Sequence, residues 1–261
     1  MKKKFFITII FLLLLNNGYS GPISSLYMVS WQNAGMQVVQ GNSVVNSWER
    51  AGLNELAVVV DGTVKTYAYS TEDSYGAEYT LGGTPTGTTY ALDYPNNLYI
   101  DATTDGTYIY VTGNTTNKIY RFNNDWTNGQ LMFTANEVGR TLGITYDPTD
   151  NTLWLSGYNN STMSHYDLNG NLLETFNVAD TRTGALALDH ADGTLWYYAH
   201  DNHQLHQYSK DGTLLQRADI TGLGTRLWGG EFDFELAYIP EPCSLICISV
   251  VLFWMFLKLR K

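Results

Sequence analysis

Three phrases of the sequence, RTLGITYD, RTGALALD and RLWGGEFD, place Arg140, Arg182 and Arg226 seven residues before Asp147, Asp189 and Asp233. A guanidinium stays charged at any ordinary pH, and its planar fork of N–H donors matches a carboxylate or sulfate. If the three segments lie side by side as strands, the arginines enter on one face and the aspartates leave on the other. Three positive charges from successive segments would then converge and bind an anionic group. The alternative is that each arginine caps loop carbonyls or pairs with a nearby acid such as Glu137 or Asp180, and a motif repeated with its strand favours that reading. Tyr94 stands at the equivalent place before Asp101.

The histidines offer a second chemistry. His200, His203 and His206 fall in HDNHQLHQY, with His165 and His190 elsewhere. Spacing by three aligns metal ligands on a helix, but this segment reads as a loop entering a strand, where His203 and His206 fall on opposite faces. Metal binding through His200 and His203 competes with the ordinary expectation of a solvated polar loop. There is no Gly-rich phosphate loop, HExxH or GxSxG elbow, and no catalytic residue is assigned.

What would position these residues is a repeat. GITYDPTDNTLWLSGYNNSTMSHYDLNGNLLETFNV, from residue 143 to 178, aligns with GALALDHADGTLWYYAHDNHQLHQYSKDGTLLQRADI, from 184 to 220. Each reads as an apolar strand, a turn containing Asp, a TLW strand, a polar loop, a strand ending in Tyr, an Asn-Gly or Asp-Gly turn and an LL strand. Related modules begin at Leu98 and Leu56, the latter fitting least cleanly. First-turn aspartates Asp61, Asp105, Asp150 and Asp192 are spaced by 44, 45 and 42 residues, and third-strand tyrosines Tyr79, Tyr120, Tyr166 and Tyr208 by 41, 46 and 42. Four strands per unit at this period is the signature of propeller blades. Trp154 and Trp196 fall at one place in successive modules and are expected to pack between blades.

Two partial modules complement one another. LYMVSW, GMQVVQG and SVVNSWE supply three strands near the start, and RLWGGEFDFELA supplies a lone first strand near the end. Joined, they close a ring and remove its exposed sheet edges. The expected fold is all-β: a five-bladed β-propeller with blades over about 26–48 plus 226–236, 56–92, 98–134, 143–178 and 184–220.

Both chain ends differ from this body. Lys2, Lys3 and Lys4 precede an apolar run from Phe5 to Leu15, and small residues Gly18 and Ser20 precede Gly21. That is the anatomy of a signal peptide over residues 1–20; an uncleaved anchor is disfavoured because the run is short for a bilayer. The full chain carries net charge −10; removing +3 at the start and +2 at the end leaves −15 for residues 21–240. So acidic a body excludes nucleic acid and anionic membrane surfaces as partners. Cys243 and Cys247 both lie beyond it, so the propeller over 21–238 has no disulfide and no thiol chemistry.

The last segment, 239–261, reads IPEPCSLICISVVLFWMFLKLRK. An apolar span over 243–257 is a transmembrane helix of marginal length, and Lys258, Arg260 and Lys261 behind it face the cytoplasm by the positive-inside rule. Pro240, Glu241 and Pro242, the span and the basic tip together resemble the PEP-CTERM sorting signal of Gram-negative bacteria, which exosortase recognises. The cysteines and Trp254 depart from the small residues common in such spans. GITYDPTDNTLWLS and YDLNGNLLETF also resemble NHL or SMP-30-like propeller blades.

The resemblance implies export through the inner membrane, sorting by exosortase and residence at the cell surface or in an exopolysaccharide matrix, with a binding or scaffolding role, no enzymatic activity and no cofactor. A different class is kept beside it: a periplasmic or surface SMP-30-like hydrolase or lyase, holding calcium or zinc where Glu231, Asp233 or similar groups converge on the channel. A third reading is a carbohydrate-binding module that uses aromatics such as Trp31 and Tyr158.

Overall fold

The computed structural model describes residues 21–31, 35–69, 73–91, 99–113 and 116–235. The expected signal peptide, sorting motif, transmembrane helix and basic tip all lie outside the described residues, as does Tyr94. Within them the chain forms twenty strands in five antiparallel sheets of four. Val, Ile, Thr and aromatic residues dominate these strands, as suits sheets that stack face to face.

The first blade takes strands from both ends: β1 (Leu26–Ser30), β2 (Gly35–Gln40) and β3 (Ser43–Glu49), with β20 (Leu227–Phe232) innermost. β20 pairs antiparallel with β1, Leu26 opposite Phe232 and Val29 opposite Gly229. The second blade holds β4 (Glu55–Val60), β5 (Thr63–Ala68), β6 (Tyr75–Thr80) and β7 (Pro85–Ala91). The third holds β8 (Tyr99–Thr104), β9 (Tyr108–Gly113), β10 (Lys118–Asn123) and β11 (Gln130–Thr134). The fourth runs β12 (Arg140–Asp147), β13 (Thr152–Tyr158), β14 (Thr162–Asp167) and β15 (Leu172–Asn177). The fifth runs β16 (Thr183–Asp189), β17 (Thr194–Ala199), β18 (Gln204–Tyr208) and β19 (Leu214–Ala218). The five-bladed ring closed by the C-terminal strand is as the repeat predicts, although β12 starts three residues before the repeat phase put it.

Burial falls off radially. The inner strands β4, β8, β16 and β20 are buried almost throughout, whereas β3, β7, β11, β15 and β19 are largely exposed. Trp196 packs with Leu26, Met28 and Phe232 of the first blade, and Trp154 with Leu186, Leu188 and Tyr197 of the fifth. Both tryptophans therefore sit between blades, as their shared place in the repeat predicts.

The repeated polar residues hold local contacts. Asp105 Oδ1 accepts the N–H of Thr107 and Tyr108, and Asp192 Oδ1 accepts the N–H of Thr194, which fixes the first hairpin turns. Gly193 and Gly212 follow turn aspartates at φ of 71° and 84°, a conformation that a Cβ disfavours. The third-strand tyrosines reach back to the linker from the preceding blade. The Tyr79 and Tyr208 hydroxyls accept the N–H of Ala51 and Ala179, and Tyr166 donates to Glu137. Hydroxyls of second strands cross to the next blade, Thr112 donating to Leu142 O and Ser156 to Thr183 O.

A candidate site at the channel mouth

The inner strands run in one direction, so the ring has two unlike faces: one where these strands begin and one where they end. Arg140 opens β12 while Asp147 and Asp189 close β12 and β16, as the seven-residue spacing predicts. The two faces have different chemistry.

On the face where the inner strands end, the repeated aspartates reach the neighbouring blade. Asp147 pairs with Lys210 of the fifth blade. Asp189 accepts the Ser24 hydroxyl at 2.6 Å and its N–H at 3.3 Å. Asp233 accepts the N–H of Gly62 in the second blade at 3.0 Å. Burial would push Asp147 up, but the Lys210 ammonium and the Thr149 hydroxyl and N–H outweigh it and hold the carboxyl below the usual range. Asp189 has no cation beside it, and burial leaves it raised despite the Ser24 bonds.

The axis is filled. All five inner strands carry a shift of pairing register, and a bulge turns N–H groups out of the ladder. Asp101 of β8 is fully buried and collects four of them: Ala102 at 3.1 Å and Gly230 at 2.9 Å on one oxygen, Ile144 at 3.2 Å and Leu186 at 3.1 Å on the other. Next to it, Glu231 accepts the N–H of Phe232 at 3.0 Å and lies 3.4 Å from the Thr145 hydroxyl. Burial holds both carboxyls well above the usual range, and at Asp101 the charge of Glu231 adds to it. Glu231 thus does lie on the channel, but Asp233 does not join it. Among the described residues no three His, Cys, Asp or Glu side chains are grouped to hold a metal ion.

On the face where the inner strands begin, the channel opens into a pocket of about 390 Å³ including its mouth. Its floor is Leu56 of β4 and Ile100 of β8. Its walls are Trp31, Tyr69, Tyr158, Trp228 and Arg140, contributed by the first, second and fourth blades. Trp31 lies 5.6 Å from Tyr69 and 6.4 Å from Trp228 between ring centroids, and Tyr158 lies 6.2 Å from Trp228. The Arg140 guanidinium sits 4.4 Å over the Tyr158 ring. Trp31 is 45% exposed, whereas Trp126, Trp154 and Trp196 are buried.

The arginines named from the sequence meet this face differently. Arg140 lines the pocket. Arg182 is engaged by Asp201, neither Glu137 nor Asp180 being its acid; Asp180 instead accepts the N–H of Arg182 and Asp201. Arg226 is exposed, and its carbonyl accepts the Trp31 N–H at 3.1 Å. One guanidinium, rather than three, belongs to the pocket wall. Trp31 and Tyr158, named separately as loop aromatics, are brought together, with Tyr158 ending β13 rather than standing in a loop.

The histidine segment corrects the expectation of a solvated loop. His200 is buried against Trp228 and Tyr198 at ring distances of 4.2 and 4.7 Å, and burial lowers it to about 3. His206 is buried on β18 beside the Tyr197 hydroxyl, and burial lowers it to about 4. His203 is exposed with φ of 57° and Nδ1 2.7 Å from the Tyr198 hydroxyl. His200 and His203 are therefore engaged with aromatic partners, not aimed together at a metal.

Sequence reading missed Asp101, Tyr69 and Trp228 as site-forming residues. The signal for Asp101 was present: LYIDATT carries an acid inside a buried inner strand, where the related strands have Gly143 and Ala185 in the same bulge.

Fold and axis together define a five-bladed β-propeller with a plugged channel and an aromatic mouth. No protein-family model matches the chain, and no curated protein matches it by sequence. Among solved structures it is similar to a chain of a nidogen/laminin complex, at 12% identity over 80% of this chain and 97% of that one, with a TM-score of 0.56. It is also similar to a functionally unknown protein from Desulfotomaculum acetoxidans, at 10% identity over 78% and 98% of the two chains, TM-score 0.50. Virginiamycin B lyase from Staphylococcus aureus matches at 17% identity over 67% of this chain and 60% of that one, TM-score 0.47. The first two likenesses, at these identities, show the fold alone and nothing of activity, and the third bears on neither.

Proposed function

We propose that this protein is an exported, non-enzymatic propeller of the cell surface or extracellular matrix, sorted by exosortase through Pro240, Glu241 and Pro242, and that it acts by binding. The observation that carries the binding role is the division of labour along the axis. The carboxyls inside the channel are occupied by backbone N–H groups and a hydroxyl, while partly exposed aromatic rings collect at one mouth. A hydrolase or lyase holding calcium or zinc would need channel carboxylates with lone pairs to spare, and both Asp101 oxygens already accept two N–H bonds each.

Chain direction supports the sorting role. β20 runs from the mouth, at Trp228, to the opposite face, where Asp233 meets Gly62. The last described residue, Glu235, thus lies on the face away from the aromatic rings, which suits an anchor on that side.

The test is expression in a host with and without its exosortase, with mass spectrometry of membrane and released fractions. Loss of the peptide from Cys243 to Lys261 only when exosortase is present is the expected result. Retention in both hosts overturns sorting and makes the tail a permanent anchor.

A further inference from the structure

The rings at the mouth narrow what they can hold. Trp31, Tyr69, Tyr158 and Trp228 leave aromatic surface toward water, which costs about 25 cal/mol per Å² of apolar area. Yet they are set at strand ends of three blades, where the scaffold fixes them. Trp31 is inclined to its neighbours, making 50° with Tyr69 and 70° with Trp228, while Tyr158 and Trp228 lie closer to parallel at 29°. A flat aromatic ligand could meet such rings face-on or edge-on, so the rings alone do not choose the ligand and the edge chemistry has to. Inclined rings form a bowl, which suits a puckered saturated ring that presents C–H bonds on its faces and sends hydroxyls out at its edge. A pyranose has that shape.

Charge supplies the second constraint. The body carries nine Lys and Arg against 24 Asp and Glu, yet a guanidinium stands in the pocket wall. An arginine fork matches a carboxylate, and that of Arg140 stands over the Tyr158 ring in the pocket wall. Repulsion from the acidic surface is screened beyond about 10 Å at 0.1 M salt, so a short contact at Arg140 decides the local preference.

We infer that the mouth binds a carboxylated pyranose, a uronic acid unit of an oligosaccharide, with its apolar face on Trp31 and Trp228 and its carboxylate on Arg140. This rests on the reading of the mouth as a binding face and adds the ligand class.

The test is calorimetric titration of the full chain, as recovered from expressing cells, with oligogalacturonate, a neutral oligosaccharide of equal length and phenylacetate. Oligogalacturonate is expected to bind best. Trp31→Ala, at an exposed position that folding tolerates, weakens it about tenfold. Arg140→Gln removes the preference for the acidic over the neutral sugar, and Arg140→Lys restores part of it. No binding of oligogalacturonate, equal binding of the neutral sugar by the native protein, or preference for phenylacetate overturns the assignment. New reducing ends or an unsaturated product in the same mixture overturn the non-enzymatic reading instead, leaving the ligand class standing.

Discussion

Asp101 and Leu186, 85 residues apart in the chain, meet on the propeller axis, where the Leu186 N–H donates to Asp101 Oδ2 at 3.1 Å. The same carboxyl holds Ile144 and Gly230, so one side chain ties the third, fourth, fifth and first blades together. Asp101→Ala would leave four buried N–H groups without an acceptor, each worth about 1–3 kcal/mol. We expect a loss of more than about 3 kcal/mol in denaturant unfolding. Asp101→Asn keeps one acceptor oxygen but sets an NH₂ against N–H donors, and should fall between. An Asp101→Ala protein as stable as the native one would show that the plug is not a fastening.

Lys210 and Asp147 fasten the fourth blade to the fifth at the far face. Lys210→Met leaves a buried carboxylate without its cation, and with Lys210 partly exposed we expect a cost of about 2 kcal/mol at neutral pH. The folded carboxyl is held below its unfolded value. Its contribution is therefore complete above the unfolded value near 4 and is lost as pH falls through the folded one. Unfolding curves of the two proteins should converge in acid; a constant gap would remove the ion pair as the cause.

His200 acts in the same direction from a different cause, a buried neutral base rather than a paired acid. Burial against Trp228 lowers it to about 3, while an unfolded histidine titrates near 6.5. Between these values the unfolded chain binds the extra proton, so stability falls on acidification by up to about 1.4 kcal/mol per pH unit. His200→Gln abolishes this contribution. From pH 7 to 5 the native protein should lose about 2 kcal/mol more than the variant, measured by chemical denaturation at both pH values. Equal losses would mean that His200 is not the titrating group.

Trp154 packs at 1% exposure between the fourth and fifth blades, with its ring stacked on His165 at 4.1 Å. Trp154→Ala should cost about 3–5 kcal/mol. A ring of blades offers no way to collapse around the cavity without shifting a whole sheet. A loss under about 1 kcal/mol would show that the interface repacks.

The ring and its closure were legible because they are written in periodic chemistry: turn aspartates such as Asp105 and Asp192, linker-holding tyrosines such as Tyr79 and Tyr208, and tryptophans at one place in the repeat. The site was only partly legible. Trp31 and Tyr158 could be named as aromatics, but their meeting with Trp228 depends on how side chains at the ends of β1, β13 and β20 face one another across the mouth, which the repeat does not encode. The three arginines looked equivalent because they share a strand position; what separates them is that Arg140 lies over the face of Tyr158 in the pocket wall, whereas Arg182, which also reaches Tyr158, is paired with Asp201. Asp101 breaks the repeat, and a plug needs to occur only once in a ring.

The pairing of β20 with β1 also fixes an order of events. The innermost strand of the first blade is the last of the described strands to be synthesised, so β1, β2 and β3 wait for about two hundred residues of chain with the axial side of their sheet uncovered. Closure of the ring is thereby deferred until β20 arrives, and a chain cut short before Leu227 would remain an open arc with a free edge at β1.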